Sequence, residues 1–121
     1  MTLGYWIPLI GWMLTIFILS SIPGRNIPHV SVLGFDKVAH IFIYGILGLF
    51  LIRAFFSATD IGLVKSVLLS IIIGALFGMS DEWHQSFVPG RNMDLFDFFA
   101  DFIGLSVGVF LRCKGKWYAG N

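Results

Sequence analysis

Charged residues are scarce in this chain. Of 121 residues, only 12% are Asp, Glu, Lys or Arg, whereas 57% are hydrophobic. A soluble domain carries about 25% charged residues, so this sequence lacks the polar surface that would cover a water-facing exterior. The formal net charge of +1 provides no basic field for nucleic acid. The composition therefore predicts a membrane protein that does not bind nucleic acid.

Cysteine is almost absent as well, because Cys113 is the only one. An intrachain disulfide and a cysteine-based metal cluster are therefore excluded. The apolar stretch 3–22 has no lysine or arginine before it and no small-residue cleavage site after it. We therefore expect a retained first membrane span rather than a signal peptide.

Most of the sequence consists of long apolar segments. Four segments, at about 3–22, 37–56, 62–80 and 95–112, approach the roughly 20 residues that a helix needs to cross a bilayer. The third is predicted to continue as helix towards residue 86, and the short joining segments predict antiparallel neighbours. The predicted fold is an all-α, integral-membrane four-helix bundle, with residues 1–121 forming one domain.

The charged residues are distributed unevenly over the ends of these segments. With four spans, the side of the termini holds Arg53, Lys65, Arg112, Lys114 and Lys116, and the opposite side holds Arg25, Lys37 and Arg91. This bias favours cytoplasmic termini. Of the acidic residues, only Asp60 lies on the side of the termini. The others meet at the opposite side: Asp36, Asp81, Glu82, Asp94, Asp97 and Asp101.

Small and polar residues recur at helical spacing on three of the segments. The stripes are Lys37, His40, Tyr44 and Gly48; Ser66, Ser70, Gly74, Gly78 and Glu82; and Asp97, Asp101, Gly104 and Gly108. Small residues at this spacing let membrane helices approach closely. We expect these faces to pack together and to enclose a polar pocket that opens towards the outer leaflet.

The stretch from Asp81 to Arg91 concentrates ionisable groups between two apolar segments. Such groups are costly near a span unless they face protein or water, so they indicate a functional site. One hypothesis is a divalent metal held by Glu82 and His84, with Asp81 and with His40, because imidazole and carboxylate suit zinc and similar ions. The stretch lacks the paired histidines of HExxH, so His40 would have to come from another helix.

Acid–base chemistry without a metal is a second hypothesis. A buried Glu82 or Asp101 would exchange a proton with an imidazole. Arg91, with Arg25, would bind a phosphate or carboxylate through its planar guanidinium group. This arrangement suits hydrolysis or group transfer on a phosphate-bearing lipid.

A purely structural role fits the same residues. Asp36 and Asp94 are candidate N-caps, residues 88–90 are a candidate turn, and Arg91 is a candidate partner for an acidic side chain. Such contacts would join four helices without chemistry. Proton-coupled transport is disfavoured, because every acidic residue lies near a helix end and not at the bilayer midplane.

Three groups of residues carry a family resemblance. They are Asp36-Lys37-Val38-Ala39-His40 with Tyr44, Leu47 and Gly48; Asp81-Glu82-x-His84-Gln85-x-Phe87-x-x-Gly90-Arg91; and Asp97-x-x-x-Asp101-x-x-Gly104. With Ser20-Ser21-Ile22-Pro23-Gly24, they resemble the VanZ-like family of small bacterial membrane proteins over roughly residues 20–108. Asp101 departs from the family pattern, since many relatives carry asparagine there.

The resemblance implies a place of action. The namesake of the family is linked to resistance against teicoplanin, a lipoglycopeptide that acts on lipid-linked cell-wall precursors. We therefore expect a multi-pass protein of the bacterial cytoplasmic membrane whose extracytoplasmic pocket binds or modifies an amphiphilic ligand. A non-enzymatic interaction module is the alternative. The candidate catalytic residues are Glu82, His84, His40 and Asp101, and the candidate substrate-binding residues are Arg91, Gln85, Tyr44, Asp97, Asp36, Asp81 and Arg25.

Overall fold

Four α-helices make up the chain in a computed structural model, which describes residues 2–24 and 35–118. The helices are α1 (Leu3–Ser20), α2 (Phe35–Ala58), α3 (Leu63–Gln85) and α4 (Leu95–Tyr118). A helix satisfies its backbone N–H and C=O groups within one segment, as the hydrocarbon of a bilayer requires. The prediction of an all-helical bundle of four packed helices is confirmed.

Three of these helices are long and apolar enough to cross a membrane, over Leu3–Ser20, Asp36–Ala58 and Leu63–Gln85. Their outward faces expose large apolar side chains, which would form an extensive apolar patch in water and face lipid in a bilayer. The chain is thus a multi-pass membrane protein. The fourth helix, α4, packs along α2 as the bundle requires, but it is less apolar than the other three, because every 18-residue stretch of it holds more than two charged residues.

The α2–α4 pair has the most extensive contact in the bundle. Glycine makes the approach close: a Cβ atom on Gly104 would overlap the backbone carbonyl of Ile41, and one on Gly108 would overlap that of Gly45. The two backbones therefore touch directly, as is common between membrane helices with small residues at the interface. This contact holds the comparatively polar α4 against an apolar helix.

An apolar core fills the bundle below its polar residues. It consists of Leu9, Ile16, Tyr44, Leu47, Leu51, Ala54 and Leu105. The stripe on α3 faces inward, since Ser66, Ser70, Gly74, Gly78 and Glu82 are all buried. The two serine hydroxyls donate to carbonyls one turn earlier, so neither is unsatisfied in the core.

The C-terminal ends of α1 and α3 meet the N-terminal ends of α2 and α4 at one end of the bundle. We call this region the polar end. It comprises Ser20, Ser21, Asp36, Lys37, His40, Tyr44, Asp81, Glu82, His84, Gln85, Arg91, Asp94, Asp97 and Asp101.

Candidate functional site

Several carboxylates of the polar end are buried. Asp81, Asp97, Glu82 and Asp101 all fall in this class, and Glu82 and Asp101 expose only 1% of their surface each. A buried carboxylate is costly unless it is paired, hydrogen-bonded or bound to a cation. The partners of each carboxylate therefore determine what it can do.

Both oxygens of Asp81 have protein partners. Oδ1 accepts a hydrogen bond from the Ser20 hydroxyl on α1, and Oδ2 accepts one from the Tyr44 hydroxyl on α2 at 3.1 Å. The Gln85 amide donates to Ser20 Oγ at 3.3 Å. This network joins α1, α2 and α3, so Asp81 has a clear structural role.

Lys37 lies among three carboxylates. Its Nζ donates to Asp36 at 2.9 Å, to Asp94 at 3.0 Å and to Asp97. The Asp97 side chain is 12% exposed and the Asp36 side chain 63%, so the Lys37–Asp97 pair is the better shielded from solvent. The hydrogen bond from Lys37 lowers the pKa of the Asp94 carboxyl below its ordinary value.

Asp94 connects the start of α4 to the buried carboxylates. Its Oδ1 accepts the backbone N–H of Phe96 at 2.8 Å, which is the hydrogen bond of a helix N-cap. Its own backbone N–H donates to Oε2 of Glu82 at 3.3 Å. The cap therefore also orients the Glu82 side chain.

His40, Glu82 and Asp101 form a compact group, which we call the central site. Nδ1 of His40 lies 2.7 Å from Oδ1 of Asp101, and one ligating atom from each of the three residues lies within 4.8 Å of the others. Among the described residues, Oε1 of Glu82 and Oδ2 of Asp101 are buried without a hydrogen-bond partner. Two free carboxylate oxygens beside an imidazole can accept a proton or hold a cation.

His84 is held away from the central site. The Ser21 hydroxyl donates to the carbonyl of Phe17 at 2.7 Å and lies 2.9 Å from Nε2 of His84. The single serine proton serves either the Phe17 carbonyl or Nε2, and in the first case Nε2 is the donor to Ser21. The imidazole also stacks on the Phe17 ring at 4.7 Å. In the described part of the chain, Asp101 and not His84 completes the group with His40 and Glu82.

The connection between α3 and α4 is tied to the end of α1. The Gly24 N–H donates to the Pro89 carbonyl at 2.9 Å, and Gly90 has a φ of 75°, which glycine adopts without strain. Nη1 of Arg91 donates to the carbonyl of Ile22 at 3.1 Å. Within residues 2–24 and 35–118, this backbone group and not an acidic side chain is the hydrogen-bond partner of the Arg91 guanidinium.

A partly open cavity of about 70 Å³ lies beside the central site. Its lining combines apolar residues, Ile16, Leu19 and Ile43, with polar ones, Ser20, His40, Tyr44, Asp81, Gln85 and Arg91. The space suffices for a few water molecules or for one small polar group of a larger molecule. His40 belongs to both the cavity and the central site, so it connects the two.

The candidates from the sequence fall into separate places. His40, Glu82 and Asp101 form the central site, whereas Tyr44, Asp81, Gln85 and Arg91 line the cavity. Asp36 and Asp97 bind Lys37, and Arg25 lies outside the described residues. The sequence-based candidates did not include Lys37, Asp94 or Ser20. These three residues lie at the ends of spans that the sequence predicts to converge, and this position could have identified them.

The fold and the polar end define a class of protein: a multi-pass helical membrane protein with a buried acidic group at one end. Residues 5–113 match the VanZ/LLP1 family, and the chain belongs to this family.

A relative of known sequence is an uncharacterised protein of Schizosaccharomyces pombe. It is 33% identical over 78 residues, which cover 64% of this chain and 46% of the relative. The chain thus spans about half the length of that protein. The similarity extends to a eukaryote, so family membership alone does not imply a bacterial source. No solved structure matches the chain.

Proposed function

We propose that this protein binds the polar head of an amphiphilic ligand at its polar end and acts on it by acid–base chemistry. The observation that carries this proposal is the lining of the cavity, which combines apolar side chains with polar and charged ones. Such a lining suits a molecule with an apolar chain and a polar head. The resemblance to VanZ-like proteins favours a lipid-linked cell-wall precursor or a lipoglycopeptide such as teicoplanin.

Arg91 is the proposed anion-binding group. A guanidinium has five N–H donors, and the hydrogen bond to the Ile22 carbonyl occupies one of them. The remaining donors suit a phosphate or carboxylate oxygen at the mouth of the cavity. Because Arg91 also ties the α3–α4 connection to α1, ligand binding would tighten this end of the bundle.

The central site is the proposed acid–base centre. His40 reaches the cavity, and Asp101 holds its ring through Nδ1. A carboxylate in this position orients an imidazole and stabilises its protonated form. Glu82, whose buried Oε1 has no hydrogen-bond partner among the described residues, is the second proton acceptor. These roles suit hydrolysis or group transfer on a phosphate-bearing lipid, with the polar end on the extracytoplasmic side and the termini in the cytoplasm.

The test compares three proteins in a teicoplanin-susceptible bacterial host: wild type, Glu82→Gln, and Asp60→Asn as a control at the opposite end of the bundle. Membrane levels are matched by immunoblot. We expect wild type and Asp60→Asn to protect and Glu82→Gln to fail. Equal protection by Glu82→Gln would rule out an acid–base role for Glu82, and lack of protection by wild type would rule out the resistance role.

Ligand binding is tested separately in lipid nanodiscs. A fluorescent polyprenyl diphosphate is titrated into wild type and Arg91→Met, and the anisotropy is recorded. We expect saturable binding to wild type and at least about tenfold weaker binding to Arg91→Met, since a charge-assisted hydrogen bond contributes roughly 1.5–3 kcal/mol. Equal affinities would remove Arg91 from the proposed site.

The dense pairing at the polar end favours a second candidate, a non-enzymatic interaction module. The Asp81 and Lys37 networks connect all four helices without any ligand. In that case Glu82→Gln would protect as well as wild type, and protection would instead depend on a membrane partner that co-purifies with the protein.

A further inference from the structure

The geometry points to a binding site for a divalent transition-metal ion, held by His40, Glu82 and Asp101. This inference stands on the central site alone and does not depend on the ligand proposed above. With the ion bound, the three residues serve as its ligands, so the acid–base roles proposed above belong to the metal-free protein. Its basis is twofold: one ligating atom of each residue lies within 4.8 Å of the others, and, among the described residues, Oε1 of Glu82 and Oδ2 of Asp101 are buried without a hydrogen-bond partner.

The balance of charge at the polar end favours a bound cation. Among the described residues there, the carboxylates are Asp36, Asp81, Glu82, Asp94, Asp97 and Asp101, and the Lys and Arg side chains are Lys37 and Arg91. Lys37 donates hydrogen bonds to three of these carboxylates, those of Asp36, Asp94 and Asp97. Arg91 donates to a backbone carbonyl. The two most buried carboxylates thus have no Lys or Arg partner among the described residues. A divalent cation would neutralise both.

The distances are close to those of a metal site. Zinc binds His and carboxylate atoms at about 2.0–2.2 Å, which places tetrahedral ligand atoms about 3.4 Å apart. The three donors already lie within 4.8 Å of one another, so small side-chain rotations would close the site.

Both ring nitrogens of His40 face a carboxylate, Nδ1 facing Asp101 at 2.7 Å and Nε2 facing Asp97 at 3.9 Å. With Asp101 as a ligand, Nδ1 is the ring nitrogen on the side of the ion, and Asp97 is the carboxylate that faces Nε2. A metal-binding histidine usually directs its other ring nitrogen towards such a partner.

The donor set selects the kind of ion. One imidazole with two carboxylates suits Zn²⁺ or Mn²⁺ better than Ca²⁺ or Mg²⁺, which bind oxygen alone. Three protein ligands leave coordination positions open on the side of the cavity that His40 lines. Those positions could take water or a phosphate oxygen.

The experiment measures metal binding without any other ligand. Purified protein in zwitterionic nanodiscs is stripped with EDTA, exchanged into chelator-free buffer and titrated with Zn²⁺ or Ca²⁺ by calorimetry. Mn²⁺ is followed by electron paramagnetic resonance. We expect one Zn²⁺ or Mn²⁺ per chain at micromolar affinity or better, and binding of Ca²⁺ at least about 100-fold weaker. Absence of stoichiometric binding to wild type would overturn the inference, as would equal affinities for Zn²⁺ and Ca²⁺.

Variants assign the ligands. Glu82→Gln and Asp101→Asn should each weaken Zn²⁺ binding by more than about 100-fold, because loss of even an outer-shell partner costs 10–100-fold. Asp60→Asn, exposed at the other end of the bundle, should bind as wild type does. Circular dichroism and gel filtration confirm that each variant is folded. A folded Glu82→Gln that binds with wild-type affinity would overturn the assignment.

Discussion

Nδ1 of His40 on α2 lies 2.7 Å from Oδ1 of Asp101 on α4, although 61 positions separate the two residues in the chain. The glycine contacts explain how this pair is held. Gly104 lies one turn beyond Asp101 and touches the backbone of Ile41, the residue after His40. Direct contact between the two backbones therefore fixes the distance between the two side chains.

We expect His40 and Asp101 to be energetically coupled. His40→Phe and Asp101→Leu, made separately and together, give a double-mutant cycle in the free energy of unfolding. The coupling should be about 1.5–3 kcal/mol, because the hydrogen bond is buried and involves a charged partner. Denaturant unfolding in detergent with EDTA measures it. A coupling below about 0.5 kcal/mol would mean that the short contact adds no stability.

Glu82→Gln should stabilise the metal-free protein while removing its activity. Glutamine keeps an oxygen that can accept the N–H of Asp94. It removes a buried charge whose other oxygen has no hydrogen-bond partner in the described part of the chain. We expect a gain of about 1 kcal/mol in the free energy of unfolding with EDTA present, as is common when buried charge is removed. Functional sites often trade stability for activity in this way.

Asp60→Asn is the matched control for Glu82→Gln. It removes the same charge at an exposed position, so its free energy of unfolding should stay within about 0.5 kcal/mol of wild type. If Glu82→Gln instead lowered the free energy of unfolding by more than about 2 kcal/mol, the main role of Glu82 would be to stabilise the fold. That result would contradict its assignment as an acid–base group.

His84→Phe should be tolerated, in contrast to His40→Phe. A phenyl ring keeps the stacking on Phe17 and gives up one hydrogen bond to Ser21, so the loss of stability should be under about 1 kcal/mol. Protection against teicoplanin in the bacterial host should remain. Loss of protection by a stable His84→Phe protein would return His84 to the catalytic group, where the sequence motif had placed it.

The sequence predicts the convergence of polar span ends but not how they pair. Helical spacing identifies the buried stripe that leads to Glu82, because small residues every four positions are visible in the sequence. It cannot separate His84 from His40. Both are polar residues near a span end, and only the Ser21 and Phe17 contacts show that His84 faces α1. Such contacts depend on side-chain geometry between helices, which spacing along one helix does not fix.

Lys37→Met should destabilise the polar end. The change leaves Asp97 buried without its cation, and it removes one partner of the N-cap residue Asp94. The Lys37 side chain is 31% exposed, so we expect a loss of about 1–2 kcal/mol, less than for a fully buried pair. Thermal unfolding in nanodiscs measures it, with the exposed Lys65→Met as control. Equal stability of the two variants would show that Lys37 is screened by solvent.

The glycines of α4 and α1 make opposite predictions for the same chemical change. Gly108→Ala places a Cβ against the Gly45 carbonyl, and two packed backbones must move apart to admit it. We expect a loss of at least about 2 kcal/mol, because overpacking of a close contact is costly. Gly11 lies within α1, and a methyl group added to it would meet no atom of the described residues within 4 Å, so Gly11→Ala should add about 0.5–1 kcal/mol through helix propensity.

The packing of Gly108 against Gly45 should also affect Zn²⁺ binding at the central site. Because the α2–α4 contact positions His40 against Asp101, Gly108→Ala should weaken Zn²⁺ binding as well as stability, although it removes no ligand. Gly11→Ala should leave Zn²⁺ affinity unchanged. The two variants are compared by thermal unfolding and by calorimetry in the same nanodiscs. If Gly108→Ala were destabilised yet bound Zn²⁺ with wild-type affinity, the central site would form independently of the backbone contact at Gly108.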